Sequence, residues 1–349
     1  MALRVTIDEN DFKALVSEIE SQEGYRKPIG FGIARVERGQ LNPEKILQAT
    51  FPVINWNENF GSAAILIGAL QASDIDVDFT SSLFEDDKPL SPEAVYLKLY
   101  ALSTGKAPLR SVNLTGAFGV LENVAWSFGQ PLELEWLRMH EIEMKLLGEY
   151  PLIESVDKFP RFLSHIIPAN NTRILDTSKV RMGAQLHAGT TIMPGASYVN
   201  FNAGTTGAVM VEGRISSSVV VGRGSDVGGG ASILGVLSGT NGNPVSIGEN
   251  TLLGANSVTG IPLGDGCIVD AGIAILEGTK IGISAAELAK IAEANPKTKL
   301  KKAGKEEMVF FKGLELAALH GIHFRQNSVN GMIIATRSKR EIKLNSELH

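Results

Sequence analysis

Hydrophobic positions recur every six residues in the middle of the chain, between Val180 and Ile281. In the most regular part, one six-residue phase holds mainly aliphatic and β-branched residues and another holds glycine. The first phase consists of Val245, Thr251, Ser257, Leu263, Val269, Ile275 and Ile281, and the second of Gly248, Gly254, Gly260, Gly266, Gly272 and Gly278. A hexapeptide period with aliphatic residues is typical of a parallel β-helix, in which equivalent residues stack in successive coils. We therefore predict a left-handed parallel β-helix with three flat faces over residues 180–282.

The six-residue period is interrupted at several places. Upstream of the regular part, glycines recur on other phases, first at Gly183, Gly189, Gly195, Gly207 and Gly213, then at Gly222 and Gly228. These shifts of phase predict loops or bulges between coils. The largest shift, over residues 235–244, predicts an insertion that protrudes from the β-helix. Loops of repeat proteins often carry the binding face, so this insertion is a candidate part of a site.

The segments that flank the repeat have ordinary helical and strand patterns. Residues 1–150 predict an α/β domain, with strands over residues 29–36 and 51–54 and helices over residues 8–20, 43–50, 91–102 and 131–147. Ser91, Pro92 and Glu93 form a typical helix start, with a capping residue, a first-turn proline and a first-turn acid. In the last of these helices Leu134, Leu137, Ile142 and Leu146 are expected to face the core, and Glu141 to pair with Lys145.

A connector and a cap complete the predicted domain order. Residues 151–179 are predicted as the connector to the β-helix. Residues 283–349 predict a C-terminal cap that begins with a helix over residues 284–294 and continues with a strand over residues 307–312 and a strand-rich tail. Such a cap covers the open end of a β-helix, where backbone groups would otherwise lack partners.

Composition narrows the class of protein. The net charge of −5 argues against a nucleic-acid-binding surface. The single cysteine, Cys267, excludes a disulfide framework and is typical of a reducing compartment. The N-terminal residues do not have a signal-peptide pattern, and no apolar run approaches the roughly 18 residues of a membrane span. We therefore expect a cytoplasmic protein with neither a membrane nor a nucleic acid as its partner.

Ionisable residues are few inside the repeat, and Glu212 is the most conspicuous of them. It lies in the segment VMVEGRISSS, between apolar residues and Gly213. Partial desolvation there would suit a general base or a nucleophile. The alternative is a corner carboxylate that simply pairs with Arg214. His187 is a second candidate base, with a solvated surface histidine as its alternative.

A β-helix with flat faces suggests a class of function. Such prisms pack well against copies of themselves, so a closed threefold assembly is expected, with a cleft between neighbouring prisms. A long ligand such as an acyl-CoA fits a cleft of this kind. A zinc carbonic anhydrase would need three histidine ligands, and the repeat offers only His187. A scaffold without catalysis is the remaining alternative.

Three segments resemble the long form of the tetrahydrodipicolinate N-succinyltransferases. They are YVNFNAGTTGAVMVEGRISSSVVVGRGSDVGGGASILGVLSG in the repeat, FPVINWNENFGSAA in the N-terminal domain and GIHFRQNS in the tail. The resemblance implies transfer of a succinyl group from succinyl-CoA to the amine of L-2-amino-6-oxopimelate, in the succinylase route to diaminopimelate and lysine. An acetyl-CoA-dependent N-acetyltransferase of the same superfamily, acting on an amino acid or amino sugar, is the alternative.

The resemblance also implies roles for individual residues. Glu212 corresponds to the catalytic glutamate, acting either as a nucleophile or as a general base. Contacts with the acyl-CoA fall on Arg214, Gly229, Ser232, Ala255, Asp270, Ala271, Gly278, Lys312, Arg325, Gln326, Asn327 and Ser328. Basic groups such as Lys312 and Arg325 suit the phosphates of CoA. Asn200 and Asn202 are candidates for the substrate carboxylates.

The expected assembly is a homotrimer with sites between subunits. Some relatives have an acidic pair at the start of the repeat that could hold magnesium. Here those places hold Ser178 and the segment 194–197, without a carboxylate, so no metal is expected.

Overall fold

The computed structural model describes residues 30–56, 79–84, 91–236, 242–301, 304 and 306–338. The chain divides into two compact units, residues 1–166 and residues 167–349. The helix predicted over residues 8–20 lies outside the described residues. No helix in the described ranges combines the length and the apolar character that a membrane span requires.

An antiparallel sheet opens the first unit. It consists of β1 (Gly30–Arg38), β2 (Ile46–Trp56) and β3 (Phe79–Phe84), in the order β2-β1-β3. The strand predicted over residues 29–36 is confirmed from Gly30 onward as part of β1, and the strand predicted over residues 51–54 is confirmed as part of β2. The helix predicted over residues 43–50 is wrong, because β2 begins at Ile46 and pairs with β1 from Arg38 onward. Cross-strand pairing over a hairpin overrides a weak local helical preference.

A buried helix packs beside this sheet. Helix α1 (Pro92–Ser103) begins as predicted, since the Ser91 side chain accepts a hydrogen bond from the Ala94 amide at 3.2 Å. On its buried side, the Tyr100 hydroxyl lies 2.6 Å from His165 Nδ1, and His165 Nε2 lies 3.1 Å from Gln48 Oε1. Because Gln48 Oε1 can only accept, Nε2 carries the proton and Nδ1 accepts from Tyr100. Burial lowers the pKa of His165 to about 4 and raises that of Tyr100 to about 12.

The first unit ends with a second small sheet and a helix. After the short helix α2 (Ala117–Val120) come β4 (Val124–Ser127), β5 (Gln130–Glu133), helix α3 (Leu134–Leu147) and β6 (Ser155–Asp157). The sheet has the order β5-β4-β6. The helix predicted over residues 131–147 therefore starts later than expected, because β5 takes its first residues.

Among the described residues, helix α3 packs on one side. Leu137 and Met144 lie in a cluster with Ala125, and Leu134 packs against that cluster. The predicted inward positions of Ile142 and Leu146 are wrong, since these side chains are 77% and 83% exposed. They lie on the side of the helix opposite Leu137, because successive residues advance by about 100°. The predicted pair is confirmed, with Lys145 Nζ 2.5 Å from Glu141 Oε1.

The second unit is the β-helix, whose strands form three parallel faces. The first face holds β7 (Arg173–Ile174), β8 (Thr191–Ile192), β11 (Met210–Val211), β14 (Asp226–Val227), β17 (Leu252–Leu253) and β19 (Ile268–Val269). The second holds β9 (Tyr198–Val199), β12 (Arg214–Ile215), β15 (Ser232–Ile233), β18 (Val258–Thr259) and β20 (Ala274–Ile275). The third holds β10 (Gly204–Thr205), β13 (Val220–Val221) and β16 (Ser246–Ile247). From β8 to β20 the second residue of each strand is buried, and it stacks on its equivalent where the next coil has a strand on the same face.

The corners of the β-helix are not all the same length. Where the period is regular, consecutive inward residues are six positions apart, as in Val227 and Ile233. Val211 and Ile215 are only four positions apart, so this corner lacks two residues. The shift of phase beyond Gly213 was predicted to be a loop or bulge, and this part of the prediction is wrong. The insertion over residues 235–244 does lengthen a corner, since Ile233 and Ile247 are fourteen positions apart.

The C-terminal cap extends the first face. Its elements are β21 (Lys280–Ser284), helix α4 (Ala285–Ala294), β22 (Met308–Lys312), β23 (Ile322–Gln326) and β24 (Ile333–Arg337). The helix and strand predicted over residues 284–294 and 307–312 are confirmed as α4 and β22. Strand β23 pairs in parallel with β19, with Phe324 opposite Val269, and β24 pairs antiparallel with β23. The cap therefore supplies partners for the last strand of the first face.

Candidate active site

The Glu212 edge is the long edge of the β-helix between its first and second faces. In successive coils it consists of Glu212, Gly228–Gly230, Gly254–Asn256 and Asp270–Gly272. Glu212 occupies the shortened corner, directly after β11 and two positions before β12. Both polar groups of its backbone bond to the next coil: its N–H donates to Val227 O at 2.8 Å, and its C=O accepts from Gly230 N at 3.1 Å. The position of Glu212 is thus fixed by coil stacking.

The side chain of Glu212 is half-buried and its carboxylate is available. It makes no hydrogen bond or ion pair with any residue that the structure describes. The alternative prediction, a structural pair with Arg214, is wrong for the described geometry. The Arg214 guanidinium instead donates from Nε and Nη2 to Ser232 Oγ, at 3.1 and 2.6 Å, because the β12–β15 register places Arg214 beside Ser232.

Two adjacent glycines of the next coil differ in the space around them. A Cβ on Gly228 would lie 2.6 Å from Leu253 O, so the stacked backbone itself requires glycine there. A Cβ on Gly229 would meet nothing closer than Glu212 Oε2, at 4.0 Å. The fold does not need a glycine at position 229, and the space in front of it is the space that the Glu212 carboxylate borders.

A row of backbone N–H groups runs along the Glu212 edge. Gly229, Ala255 and Ala271 occupy the same position in three consecutive coils, and among the described residues none of their N–H groups has an acceptor. The next residue of each corner does bond to the preceding coil. Its N–H donates to Glu212 O, Gly229 O or Ala255 O, at 3.1, 2.9 and 2.9 Å respectively. Three of the predicted acyl-CoA contacts are therefore brought into one line of donors, about 4.8 Å apart.

The far end of the Glu212 edge carries charge. Asp270 Oδ1 lies 2.6 Å from His323 Nε2, and Asp270 Oδ2 lies 3.3 Å from Arg325 Nε. At the end of β23, Gln326 Nε2 donates to Gly331 O at 3.1 Å, and in the turn that follows, Asn327 Oδ1 accepts from Val329 N at 2.9 Å. Ser328 is exposed in the same turn. Sequence reasoning did not single out His323, although it belongs to the tail segment GIHFRQNS.

Two predicted contacts lie on the other long edge of the second face. Gly278 is exposed in the corner after β20. The chain after Lys312 is held to this corner, since Gly313 N donates to Thr279 O at 2.9 Å. The exposed Lys312 has its own amide bonded to Glu315 Oε2 at 2.7 Å. The predicted acyl-CoA residues thus flank the second face on both sides rather than forming a single cluster.

Other candidates lie away from the Glu212 edge. His187 is exposed in the corner that leads into β8. Cys267 is buried, which raises the pKa of its thiol to about 11 and keeps it protonated. A cavity of about 650 Å³ lies between helix α4 and residues 296–301, and its walls do not include any predicted site residue. Among the described residues, no three His, Cys, Asp or Glu side chains come together as metal ligands would.

Comparison with known protein families gives matches in both units. Family models described as the N-terminal and middle parts of tetrahydrodipicolinate N-succinyltransferase match residues 10–82 and 80–119, and residues 121–161. A model described as the hexapeptide repeat of succinyl-transferase matches residues 244–277.

Similar proteins match over nearly the whole chain. A 2,3,4,5-tetrahydropyridine-2,6-dicarboxylate N-succinyltransferase of Sulfurovum sp. (strain NBC37-1) is 60% identical over 402 aligned positions. The alignment covers the full length of both proteins. A protein of the same name from Campylobacter jejuni is 55% identical, with 97% of this chain and 98% of its own length aligned.

A solved structure is similar as well. It is the crystal structure of a Campylobacter jejuni protein described as a 2,3,4,5-tetrahydropyridine-2-carboxylate N-succinyltransferase. Its TM-score to this chain is 0.83 at 53% identity, covering 98% of this chain and all of the other. With full-length identity of this order, the chain belongs to the tetrahydrodipicolinate N-succinyltransferase family.

Proposed function

We propose that this enzyme transfers a succinyl group from succinyl-CoA to the amine of tetrahydrodipicolinate in its ring-opened form, L-2-amino-6-oxopimelate. This places it in the succinylase route to diaminopimelate and lysine. The observation that carries the proposal is the full-length identity of 60% to a protein named for this reaction. The site supports it independently. Within the part of the chain that the structure describes, the half-buried Glu212 carboxylate has no partner, and it lies at one end of a line of backbone N–H groups that have no acceptor.

Succinyl transfer requires one bond to form and one to break. The amine nitrogen bonds to the thioester carbonyl carbon, the carbon–sulfur bond breaks, and the amine proton must leave. Glu212 suits either of two roles. As a general base it takes the proton from the amine. As a nucleophile it displaces the CoA thiolate to form an acyl anhydride, which the amine then attacks.

The pantetheine arm of the donor fits the Glu212 edge. It is long and carries amide carbonyls, which accept hydrogen bonds. The free N–H groups of Gly229, Ala255 and Ala271 provide donors at the spacing of the coils. In this arrangement the thioester lies beside Glu212, and the Gly229 N–H is the nearest candidate donor to the oxygen that gains charge during transfer. The phosphates then lie toward Arg325 and the turn that contains Gln326, Asn327 and Ser328.

Arg214 favours a succinyl over an acetyl donor. Its guanidinium is exposed on the second face, two positions from Glu212, and among the described residues its bonds are those of Nε and Nη2 to Ser232 Oγ. A succinyl group ends in a carboxylate, which an arginine binds well, whereas an acetyl group has no such anion. We assign Arg214 and Ser232 to this carboxylate.

The working assembly that we propose is a homotrimer, with each site between two prisms. A flat face and an exposed edge leave the substrate open to solvent on one side, and a neighbouring prism would cover it. Basic residues of the neighbour would bind the two carboxylates of the amino-oxopimelate, with Asn200 and Asn202 as further candidates. Sedimentation equilibrium should give three chains per particle, and a monomer with full activity would contradict this assembly.

Donor preference tests the proposed reaction directly. The purified protein is mixed with the pimelate substrate and either succinyl-CoA or acetyl-CoA, and free thiol is followed with a chromogenic disulfide. We expect thiol release with succinyl-CoA and at least about 100-fold less with acetyl-CoA. The acetyl group has no carboxylate for Arg214, and a site group left without its ligand partner discriminates strongly against the smaller donor. Preference for acetyl-CoA would instead support the N-acetyltransferase alternative, and an absence of release with both donors would exclude catalysis of this kind.

The variant Gly229→Ala is expected to lower turnover without weakening the fold. The added methyl group meets only Glu212 Oε2, at 4.0 Å, so unfolding free energy should change by less than about 1 kcal/mol. The same methyl group occupies the space in which the thioester must approach Glu212, and kcat/KM should fall about 10- to 100-fold. Gly119→Ala is the matched control, because position 119 also has open space. Unchanged kcat/KM in Gly229→Ala would place the reaction elsewhere.

A further inference from the structure

Asp270 closes the Glu212 edge, and both of its carboxylate oxygens are already engaged. Oδ1 accepts from His323 Nε2 at 2.6 Å, and Oδ2 accepts from Arg325 Nε at 3.3 Å. Two side chains of β23 therefore bind the carboxylate that directly follows the neighbouring strand β19. The Asp270 carboxylate thus bonds two donors of this chain, although the resemblance placed it among the direct contacts of the acyl-CoA.

The geometry of β23 explains why these side chains meet. Residues two apart on a strand point to the same side, so His323 and Arg325 face outward while Phe324, which is fully buried, faces the interior. The parallel register sets His323 beside Ile268 and Phe324 beside Val269. Asp270 N donates to Phe324 O at 3.0 Å, which brings the Asp270 side chain between the two outward groups.

The arrangement leaves one side of the arginine free. Arg325 uses Nε on Asp270, and its two terminal nitrogens have no partner among the described residues. The guanidinium is half exposed, with 54% of the side chain accessible. An arginine held at Nε presents its terminal nitrogens as a planar fork, which is the geometry that phosphate groups bind. His323 is more buried, at 23%, and lies behind the carboxylate.

We propose that His323 is a positioning residue for the phosphates of the acyl-CoA: it fixes the Asp270 carboxylate, which in turn orients the Arg325 guanidinium. In this chain of contacts Asp270 acts on the arginine rather than on the ligand. The inference rests on the proposed function in that it takes CoA as the anionic ligand. It assigns His323 a role in donor binding and none in the chemistry at Glu212.

The experiment compares a ligand with the phosphates and a ligand without them. The affinity of the full-length protein for CoA and for pantetheine is measured by calorimetry, and KM and kcat are measured with succinyl-CoA and succinyl-pantetheine. In His323→Ala we expect the Kd of CoA and the KM of succinyl-CoA to rise about 5- to 20-fold, with kcat unchanged within about twofold. The values for pantetheine and succinyl-pantetheine should stay within about twofold. His323→Gln, which keeps an N–H donor, should recover most of the CoA affinity.

A matched control exists on another edge. His320 also lies next to an aspartate, with Nδ1 3.2 Å from Asp265 Oδ2, but this pair is in the corner between the third and first faces. His320→Ala should not change the affinity for either ligand. Equal losses with CoA and pantetheine in His323→Ala would show a merely structural role and overturn the proposal, as would unchanged CoA affinity.

The affinity measurements with CoA and pantetheine test the positioning role of His323 separately from the proposed reaction. If thiol is not released from any donor, the proposed function fails, yet a selective loss of CoA affinity in His323→Ala would still support the positioning role. If thiol release is normal and the loss is not selective for CoA, the positioning role fails alone.

Discussion

Glu212→Gln is expected to lower kcat by about 10³-fold while leaving the protein folded. Glutamine has nearly the shape of glutamate, but it neither accepts a proton at neutral pH nor displaces a thiolate. A positioned general base commonly contributes about 10²- to 10⁴-fold, and a covalent nucleophile is equally lost by this exchange. Because the Glu212 carboxylate has no partner among the described residues, the exchange should change the free energy of unfolding by less than about 0.5 kcal/mol. Steady-state thiol release and urea unfolding measure the two quantities.

Near-normal turnover in Glu212→Gln would remove this residue from the mechanism. Glu249→Gln is a suitable control, since Glu249 is an exposed glutamate of the repeat that lies on another edge, 3.4 Å from Arg223 Nη2. The same protein can also separate the two roles of Glu212. Mixing the wild-type enzyme with succinyl-CoA and no amine should give one equivalent of thiol per site if Glu212 is the nucleophile. A general base would give no such burst.

Acid is expected to destabilise the first unit by about 3 kcal/mol through His165 alone. Burial lowers the pKa of this histidine to about 4 in the folded protein, against about 6.5 in the unfolded chain. The unfolded state therefore binds the proton more tightly, and stability falls as the pH drops below 6.5. The loss is almost complete at pH 4, because the folded state then also takes up the proton. One pKa unit corresponds to about 1.4 kcal/mol, so a difference of about 2.5 units gives the stated size.

Tryptophan emission is a selective probe for this effect. All three tryptophans, Trp56, Trp126 and Trp136, belong to residues 1–166. Urea unfolding between pH 7.5 and pH 4 should show that wild type loses about 3 kcal/mol more than His165→Gln, which cannot take up the proton. Parallel pH profiles of the two proteins would contradict the prediction. A proton NMR titration of the His165 ring, with an expected midpoint near pH 4, tests it without any variant.

The β-helix could be predicted from the sequence because its interior repeats at a fixed spacing. The corners of irregular length could not be predicted, as the six-residue phase from Val245 to Ile281 shows. Val245, Thr251 and Ser257 each lie two positions before the inward residue of a strand, whereas Leu263, Val269 and Ile275 are themselves in that inward position. All six are buried. The corner between Thr259 and Leu263 lacks two residues. A six-residue count therefore moves there from the position two before the inward strand residue to the inward residue itself. Since residues at both of these positions are buried, the hydrophobic pattern does not reveal the change.

The candidate site was predicted less completely than the fold. Glu212 was identified from its apolar surroundings and from a family resemblance, but its distance from the Arg214 side chain depends on which coil Arg214 faces. The register that places Arg214 beside Ser232 is a contact between residues 18 positions apart, and spacing does not reveal it. His323 depends on still longer contacts, since it and Asp270 are 53 positions apart.

In the first unit, the sequence patterns of individual elements led to wrong predictions. Its strand β2 and helix α3 have patterns that local rules interpret wrongly, because the sheet partners of β2 and the single packed side of α3 decide the outcome. Ile142 and Leu146 have the spacing of core residues and are nevertheless exposed. Helical spacing alone does not tell which of two apolar sides meets the rest of a unit.

The shortened corner at Glu212 shows that the coils of this β-helix do not all contain the same number of residues. A standard corner would place two further residues between Val211 and Ile215, as in the corner from Val269 to Ile275 that carries Asp270. The corner at Glu212 is shorter, yet the strands on its two sides, β11 and β12, keep their parallel register with the strands of the next coil. In a coiled scaffold of this kind, the number of residues in a corner can change from one coil to the next, so the spacing of side chains along an edge can be altered while the stacked faces stay the same.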